Sequence, residues 1–181
     1  MNSLSRYILF TSLISLGISC QELPARKALN KSQEVFLKQS ALRNKDRYET
    51  ESKALKAAAE QDSLHPYKKG AKGYYYSLSG GKRTGINHPK KGDWVAVDYQ
   101  IENLGGKVLY TFEEVETENF LVDREDVLPA LREGVKHLKN GEVGVFLFPS
   151  YLCYGYQGDG DKIGVSQPLK IYIHLLEHRI N

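Results

Sequence analysis

Few residues in this chain have the type and spacing for chemistry. His174-Leu175-Leu176-Glu177-His178 spells H-x-x-E-H, which on a helix places two imidazoles on one face for zinc and supplies a glutamate base. Here it ends the apolar run Leu169 to Leu176, which reads as a strand. Only Arg179, Ile180 and Asn181 follow, so the third ligand is not expected and no metal site is assigned. Gly158-Asp159-Gly160-Asp161 brings two carboxylates together. Calcium takes about 6 to 8 oxygen ligands and an EF-hand loop closes on a glutamate that is missing here, so the segment reads as the mobile rim of a cleft. Gly80-Gly81-Lys82 lacks the spacing of a phosphate loop. Lys68, Lys69, Lys72, Lys82, Arg83, Lys90 and Lys91, interleaved with Tyr74 to Tyr76, have the composition of a nucleic-acid surface. A solvated face, or attraction to anionic lipid headgroups, is the preferred reading, and nucleic acid is not expected as a partner.

Composition narrows the classes further. The 181 residues hold 25 Lys+Arg against 22 Asp+Glu, for a net charge of +3, and are 41% hydrophobic and 26% charged. This excludes a polycation and a long acidic tail. Two cysteines, Cys20 and Cys153, cannot make a disulfide-dense scaffold, so the fold must rest on an apolar core. Tyr7 to Ser19 is the one long apolar stretch, too short to cross a bilayer, which takes ~20 apolar residues. With Arg6 before it and small residues ending it, residues 1–19 read as a secretory signal. Leu16-Gly17-Ile18-Ser19-Cys20 resembles the lipobox of bacterial lipoproteins, although Gly17 stands where that motif usually has leucine. The resemblance implies lipidation of Cys20 and a membrane tether. An ordinary signal peptide with an incidental cysteine is the alternative.

Two regions follow. Residues 20–72 are polar and rich in Ala, Lys, Glu and Gln, good helix formers. Asn30 with Gln33 can cap a helix and His65-Pro66 stops it. Leu37, Ala41, Tyr48, Leu55 and Ala59 form a thin apolar stripe. Such a helix suits a stalk, a self-association helix, a strap on the main domain, or a solvated spacer. From 73 onward the periodicity changes to two. Gly73 to Leu78 reads as an edge strand. In Asp93 to Ile101, Val95, Val97, Tyr99 and Ile101 alternate with Trp94, Ala96, Asp98 and Gln100. Gly105-Gly106 turns the chain into a returning strand, Lys107 to Phe112. Leu128, Leu131, Val135 and Leu138 mark one short helix with Pro129 in its first turn and Asn140-Gly141 at its end. Glu142 to Phe148 and Leu169 to Leu176 are further strands. Strands, one helix and a long glycine-rich loop make an α+β domain. Val143, Val145 and Leu147 are apolar on the face opposite Phe146 and Phe148, whereas an antiparallel sheet bare on one side alternates with polar residues. The N-terminal segment, by its helix or by Tyr74 to Tyr76, is expected to cover that face.

From Gly92 to His178 the sequence resembles the FKBP-type peptidyl-prolyl isomerases. The match is carried by Gly92-Asp93-Trp94-Val95-Ala96-Val97-Asp98-Tyr99, by Asp126-Val127-Leu128-Pro129-Ala130-Leu131-Arg132-Glu133-Gly134, and by Asn140-Gly141-Glu142. It continues through Phe148-Pro149-Ser150-Tyr151-Leu152-Cys153-Tyr154-Gly155 and the closing strand Leu169 to Leu176. With Cys20, the helical extension and Tyr74-Tyr75-Tyr76, the whole chain is similar to the gliding-motility-associated FKBP-type lipoproteins. The resemblance implies an antiparallel twisted sheet wrapped around one short helix, with a long helical N-terminal extension. It divides the chain into a signal (1–19), a lipid-anchored extension (20–72) and an isomerase domain (73–181, core 92–178).

It also implies an activity, the cis-trans isomerisation of X-Pro bonds in exported polypeptides, needing no cofactor and no metal. An alternative is a catalytically weak binding or assembly module at the cell envelope. Carried over residue by residue, the catalytic positions are Tyr99, the backbone N–H of Leu128 and the Tyr154 hydroxyl. The substrate-binding positions are Leu109, Tyr110, Val127, Leu131, Ile163 and Ile171. Where the family commonly has aromatic residues the chain has Leu109, Leu131 and Ile171, and Tyr110 replaces a common aspartate. Macrolide binding and stacking on the proline ring are expected to weaken accordingly.

Overall fold

The computed structural model describes residues 31–81 and 87–181; the signal, Cys20, Asn30, Lys82 and Arg83 lie outside them. Helix α1 runs Lys31–Gln61. Strands β1 (Lys68–Lys69) and β2 (Tyr75–Gly81) follow, then β3 (Trp94–Asn103), β4 (Val108–Tyr110) and β5 (Glu118–Leu121). Helix α2 (Pro129–Val135), β6 (Glu142–Phe148), a 3-10 turn at Ser150–Leu152 and β7 (Leu169–Arg179) complete the order. The chain divides into two compact units, one ending at Ser40 and the other Ala41–Asn181. In the first, the described start of α1 carries the ion pair Lys38–Glu34 at 2.7 Å on its own surface.

In the second unit the strands make one antiparallel sheet in the order β1-β2-β6-β7-β3-β4, with β5 pairing β3. The alternation in β3 is realised: Val95, Val97, Tyr99 and Ile101 are all buried and point into the core. The register shifts by a bulge between Ala96 and Val97, opposite Glu177 and Leu175 of β7. Helix α2 begins at Pro129, whose missing N–H is no loss in a first turn, and buries Ala130, Leu131, Gly134 and Val135 against the sheet. Gly134 is required because a Cβ there would run into the Ile173 side chain. The periodic residues extend past the helix: Leu138, fully buried, follows through turns from Gly134 O to His137 N–H and from Val135 O to Leu138 N–H.

Some elements differ from expectation. The strand expected over Lys107 to Phe112 is ordered as strand only at Val108–Tyr110, because the Asn103 side chain and backbone hold Lys107 and Gly106 in the turn. Strand β2 starts later and runs further than Gly73 to Leu78, and β1 pairs its outer edge at Lys68↔Tyr76 and Lys69↔Tyr75. The H-x-x-E-H residues lie on β7, a strand. His174 pairs with Asp98 across the ladder, and His178 Nε2 sits 2.8 Å from Asp93 Oδ2, joining the start of β3 to the end of β7.

The outer face of the sheet is covered by α1 rather than by the tyrosine run. Tyr74 lies in the core with Phe148 and Tyr76 packs against it, on the same side as Phe146. On the opposite face Ser77, Val145 and Leu147 are buried, and Ala58 and Gln61 of α1 share a cleft with Leu147 and Lys170. Leu55 is 1% exposed; burying such a side chain contributes ~2 kcal/mol. The end of α1 is fixed by Asp62, which accepts from Tyr67 at 3.1 Å, meets His65 Nδ1 at 2.9 Å and lies 3.5 Å from Lys170 of β7. Of the expected stripe, Leu55 is buried and Ala59 half-buried, whereas Tyr48 is exposed. Glu51 takes the buried place one turn before Leu55.

Candidate functional site

The positions carried over from the resemblance come from three strands, one helix and two connecting segments, and meet in one apolar cluster. Strand β3 supplies Tyr99, β4 supplies Leu109 with Tyr110 beside it, and β7 supplies Ile171. Leu131 comes from α2, Val127 and Leu128 from its approach, and Tyr154 and Ile163 from the loop between β6 and β7. Leu131, Ile163 and Ile171 are buried floor. Tyr99 and Leu109 are nearly so, while Val127, Leu128, Tyr110 and Tyr154 are half-buried and form the sides. Leu109 also opens on a cleft of about 660 Å³ lined by Val108, Thr111, Glu114, Asp161 and Lys162.

Three polar groups face this apolar surround. Leu128 caps α2 at φ −49°, ψ 120°, and its carbonyl accepts from Leu131 N–H at 2.9 Å and Arg132 N–H at 3.3 Å. Its own N–H donates to no acceptor among the described residues. Burial pushes the Tyr99 phenol up, with Tyr154 and Glu118 adding to the effect. Burial also pushes Tyr154 up, with Cys153, Asp159 and Glu118 adding. Both hydroxyls are thus protonated donors at neutral pH, and each feels the same Glu118. Neither makes a hydrogen bond to the protein among the described residues.

The long loop is fastened at several points. Asp159 Oδ1 accepts from Asp161 N–H at 2.9 Å and Ile163 N–H at 2.8 Å, while Oδ2 accepts from the Tyr110 hydroxyl at 2.5 Å. Burial would raise the Asp159 carboxyl, but the hydrogen bonds from Tyr110, Asp161 and Ile163 outweigh it and hold the group below the usual range. Gly158, at φ +68°, cannot be replaced without strain, since a Cβ would strike the Ile163 carbonyl. Lys162 reaches Glu114 at 2.7 Å with its ammonium 4.5 Å from the centre of the Tyr110 ring. The Asp159 carboxylate thus turns the loop back, and Ile163 is buried. The Gly-Asp-Gly-Asp spacing is that of an Asx turn, which could have signalled this. Sequence reasoning also missed β5, whose Phe120 is 1% exposed in the core, with Val122 just after it at 0%.

Cys153 sits behind Tyr154 and is a free thiol. The thiol is half-buried; burial pushes it above the ordinary cysteine range and the Glu51 carboxylate adds to the shift, which disfavours the thiolate.

A twisted antiparallel sheet curled over one short helix, with an apolar pocket whose polar members are phenols and a backbone amide, defines the class of prolyl-isomerase domains. A family model described as FKBP-type peptidyl-prolyl cis-trans isomerase matches residues 85–176. The chain belongs to that family. It is 29% identical over 150 residues to a protein of Neisseria meningitidis serogroup B named "Probable FKBP-type peptidyl-prolyl cis-trans isomerase FkpA". That match covers 78% of this chain and 53% of the relative, so the chain spans about half the length of the protein it matches. Among solved structures, FkpA from Escherichia coli aligns over 98% of this chain and 92% of its own, at TM-score 0.58 and 22% identity. A peptidyl-prolyl cis-trans isomerase from Pseudomonas syringae pv. tomato aligns over 70% and 94%, at TM-score 0.54 and 24% identity. Both share the fold.

Proposed function

We propose that the chain catalyses cis-trans isomerisation of X-Pro bonds in polypeptides, with Tyr99, Leu128 and Tyr154 as the polar groups of the site. An X-Pro amide resists rotation by ~18–20 kcal/mol because twisting destroys its resonance. The twisted amide loses charge separation and so is less dependent on water. A pocket that replaces water by Leu109, Val127, Leu131, Ile163 and Ile171 destabilises the planar form relative to the twisted one. The Leu128 N–H and the Tyr154 hydroxyl are placed to hold neighbouring carbonyls while the bond turns, and Tyr99 closes the wall. What carries this reading is the convergence of unbonded donors in one apolar cluster.

The rest of the reading concerns place and client. The signal and Cys20 support export and acylation of a bacterial envelope protein facing the periplasm, with the domain acting on exported chains. Similarity to gliding-motility lipoproteins suggests motility machinery as client. The exposed Val35, Phe36, Leu37 and Leu42 of α1 suit self-association. Among the described residues no helix is long and apolar enough to cross a membrane, so attachment would rest on the lipid. A second reading, a weakly catalytic binding module, is favoured by Leu109, Leu131 and Ile171, which leave the pocket without the aromatic surfaces common in the family.

A protease-free isomerisation assay on a proline peptide decides between the two. Catalysis that falls roughly tenfold or more in Tyr154→Phe or Tyr99→Phe supports the isomerase; a rate equal to background leaves the binding module. Mass spectrometry of the mature N-terminus tests the anchor, and an unmodified start at Cys20 or Gln21 would remove it.

A further inference from the structure

The centre of α1 touches the loop that carries Tyr154. Glu51 is 8% exposed, and its two carboxylate oxygens are both engaged by one residue. Oε2 accepts from the Ser150 N–H at 2.8 Å and Oε1 from the Ser150 hydroxyl at 2.7 Å. Ser150 is itself 5% exposed. Its carbonyl in turn accepts from the N–H groups of Cys153 and Gly155, both at 2.9 Å. Every polar group of Ser150 is thereby used, and Tyr154 lies between the two amides that its carbonyl holds. Gly155 is tied onward, its carbonyl accepting from Ser166 N–H at 2.8 Å.

Two neighbours on the same helix reinforce the contact. Arg47 donates to the Tyr156 hydroxyl at 2.8 Å, with its guanidinium 4.1 Å from the centre of that ring. The ring of Tyr48 lies 6.4 Å from that of Tyr151, whose hydroxyl donates to the Lys72 carbonyl. The loop is held from the pocket side by Tyr110 and Asp159, and from behind by three residues of α1.

We propose that Glu51 is a positioning residue for Tyr154, so that helix α1 is a working part of the isomerase site and not only a spacer. The inference rests on the isomerase reading of the pocket. Glu51 touches no substrate. It acts by fixing Ser150, which fixes the turn that aims the Tyr154 hydroxyl. Removing the carboxylate leaves the Ser150 N–H and hydroxyl buried without an acceptor, and such a turn relaxes toward water. The apolar walls, which dominate ground-state binding, are untouched. The loss therefore falls on kcat more than on KM, the pattern of an interaction realised as the amide twists.

The test uses the full mature chain and three variants: Glu51→Ala, Glu51→Gln and Ser150→Ala. Glutamine keeps a carbonyl oxygen for the Ser150 N–H and offers an amide N–H to the hydroxyl oxygen, so it preserves both bonds without the charge. The expected result for Glu51→Ala is a kcat roughly tenfold lower with KM within about twofold, and faster amide exchange across 152–155. Glu51→Gln is expected to restore kcat, and Ser150→Ala, which removes only the hydroxyl leg, to lose an intermediate amount. Wild-type kcat in Glu51→Ala, or equal losses in the alanine and glutamine variants, overturns the proposal. If Glu51→Ala does not fold, Ser150→Ala decides, and an unchanged kcat there overturns it. A wild-type chain at background rate sinks the isomerase reading instead; the exchange rates of 152–155 then decide whether Glu51 still orders the loop.

Discussion

The hydroxyl of Tyr110 donates to the Asp159 carboxylate at 2.5 Å, binding the return strand of the hairpin to the loop that forms the opposite lip of the pocket. The bond to Asp159 pushes the Tyr110 phenol up to about 12, so it remains a donor throughout the neutral range. Tyr110→Phe should free Oδ2 of Asp159 and so loosen the turn that Oδ1 closes on Asp161 and Ile163. The expected result is faster exchange of the Asp161 and Ile163 amides and a KM raised roughly two- to threefold, with kcat nearly unchanged. Unaltered exchange would show that the lip does not depend on this bond.

Leu55 tests whether α1 belongs to the folded domain. It is 1% exposed, one turn before Ala58, which shares a cleft with Leu147 of the sheet. Leu55→Ala should destabilise the domain by ~2–4 kcal/mol in urea unfolding, the range for a buried leucine that leaves a cavity. A change below about 0.5 kcal/mol, the level of ordinary surface substitutions, would mean that the helix does not contribute to the domain's stability.

Asp93 provides an acid-sensitive clasp between the start of β3 and the end of β7. Its carboxyl is held below its ordinary value of 3.8 by the hydrogen bond with His178 and by the Lys90 N–H, against the opposing effect of burial. A carboxyl depressed in the folded state binds its proton less readily there than in the unfolded chain. Its contribution is therefore present above pH 3.8 and is lost as pH falls through the folded value. Asp93→Asn should be less stable than wild type near neutrality, with the two converging below that window. A stability difference that stays constant down to pH 2 would exclude the clasp.

The fold was legible where one period dominates and hidden where a contact is long-range. Val95, Val97, Tyr99 and Ile101 announced β3 by alternation, and apolar residues on both faces of β6 announced that something must cover the sheet. Strand β5 escaped because its four residues follow an acidic stretch, and only Phe120 and Val122 mark the buried side. Glu51 escaped for a different reason. A glutamate in a polar helix looks solvated, and its acceptor role exists only because Ser150, 99 positions on, brings an N–H and a hydroxyl to it. The candidate pocket residues rest on family resemblance and not on pattern, since each of them also reads as ordinary core.

Cys153 should be inert in the native state. Burial raises its thiol well above the ordinary range, so little thiolate is available. Alkylation by iodoacetamide at pH 8 is expected to be slower than for an exposed thiol by a factor on the order of 100, and to become fast in denaturant. Rapid native labelling would mean that the loop opens around Tyr154 far more often than its hydrogen bonds suggest.

Strand β7 lies between β6 and β3 in the sheet, and among the described residues no other strand joins the β1-β2-β6 group to the β3-β4-β5 group. Its partners are far away in sequence, Trp94 with Arg179 and Val143 with His174. During synthesis, two half-sheets can be present in the nascent chain with nothing to unite them until β7 has emerged. Such a high contact order makes closure slow and all-or-none. The domain is thus built to stay incomplete until β7 is free, and its two half-sheets become one only when that strand enters between them.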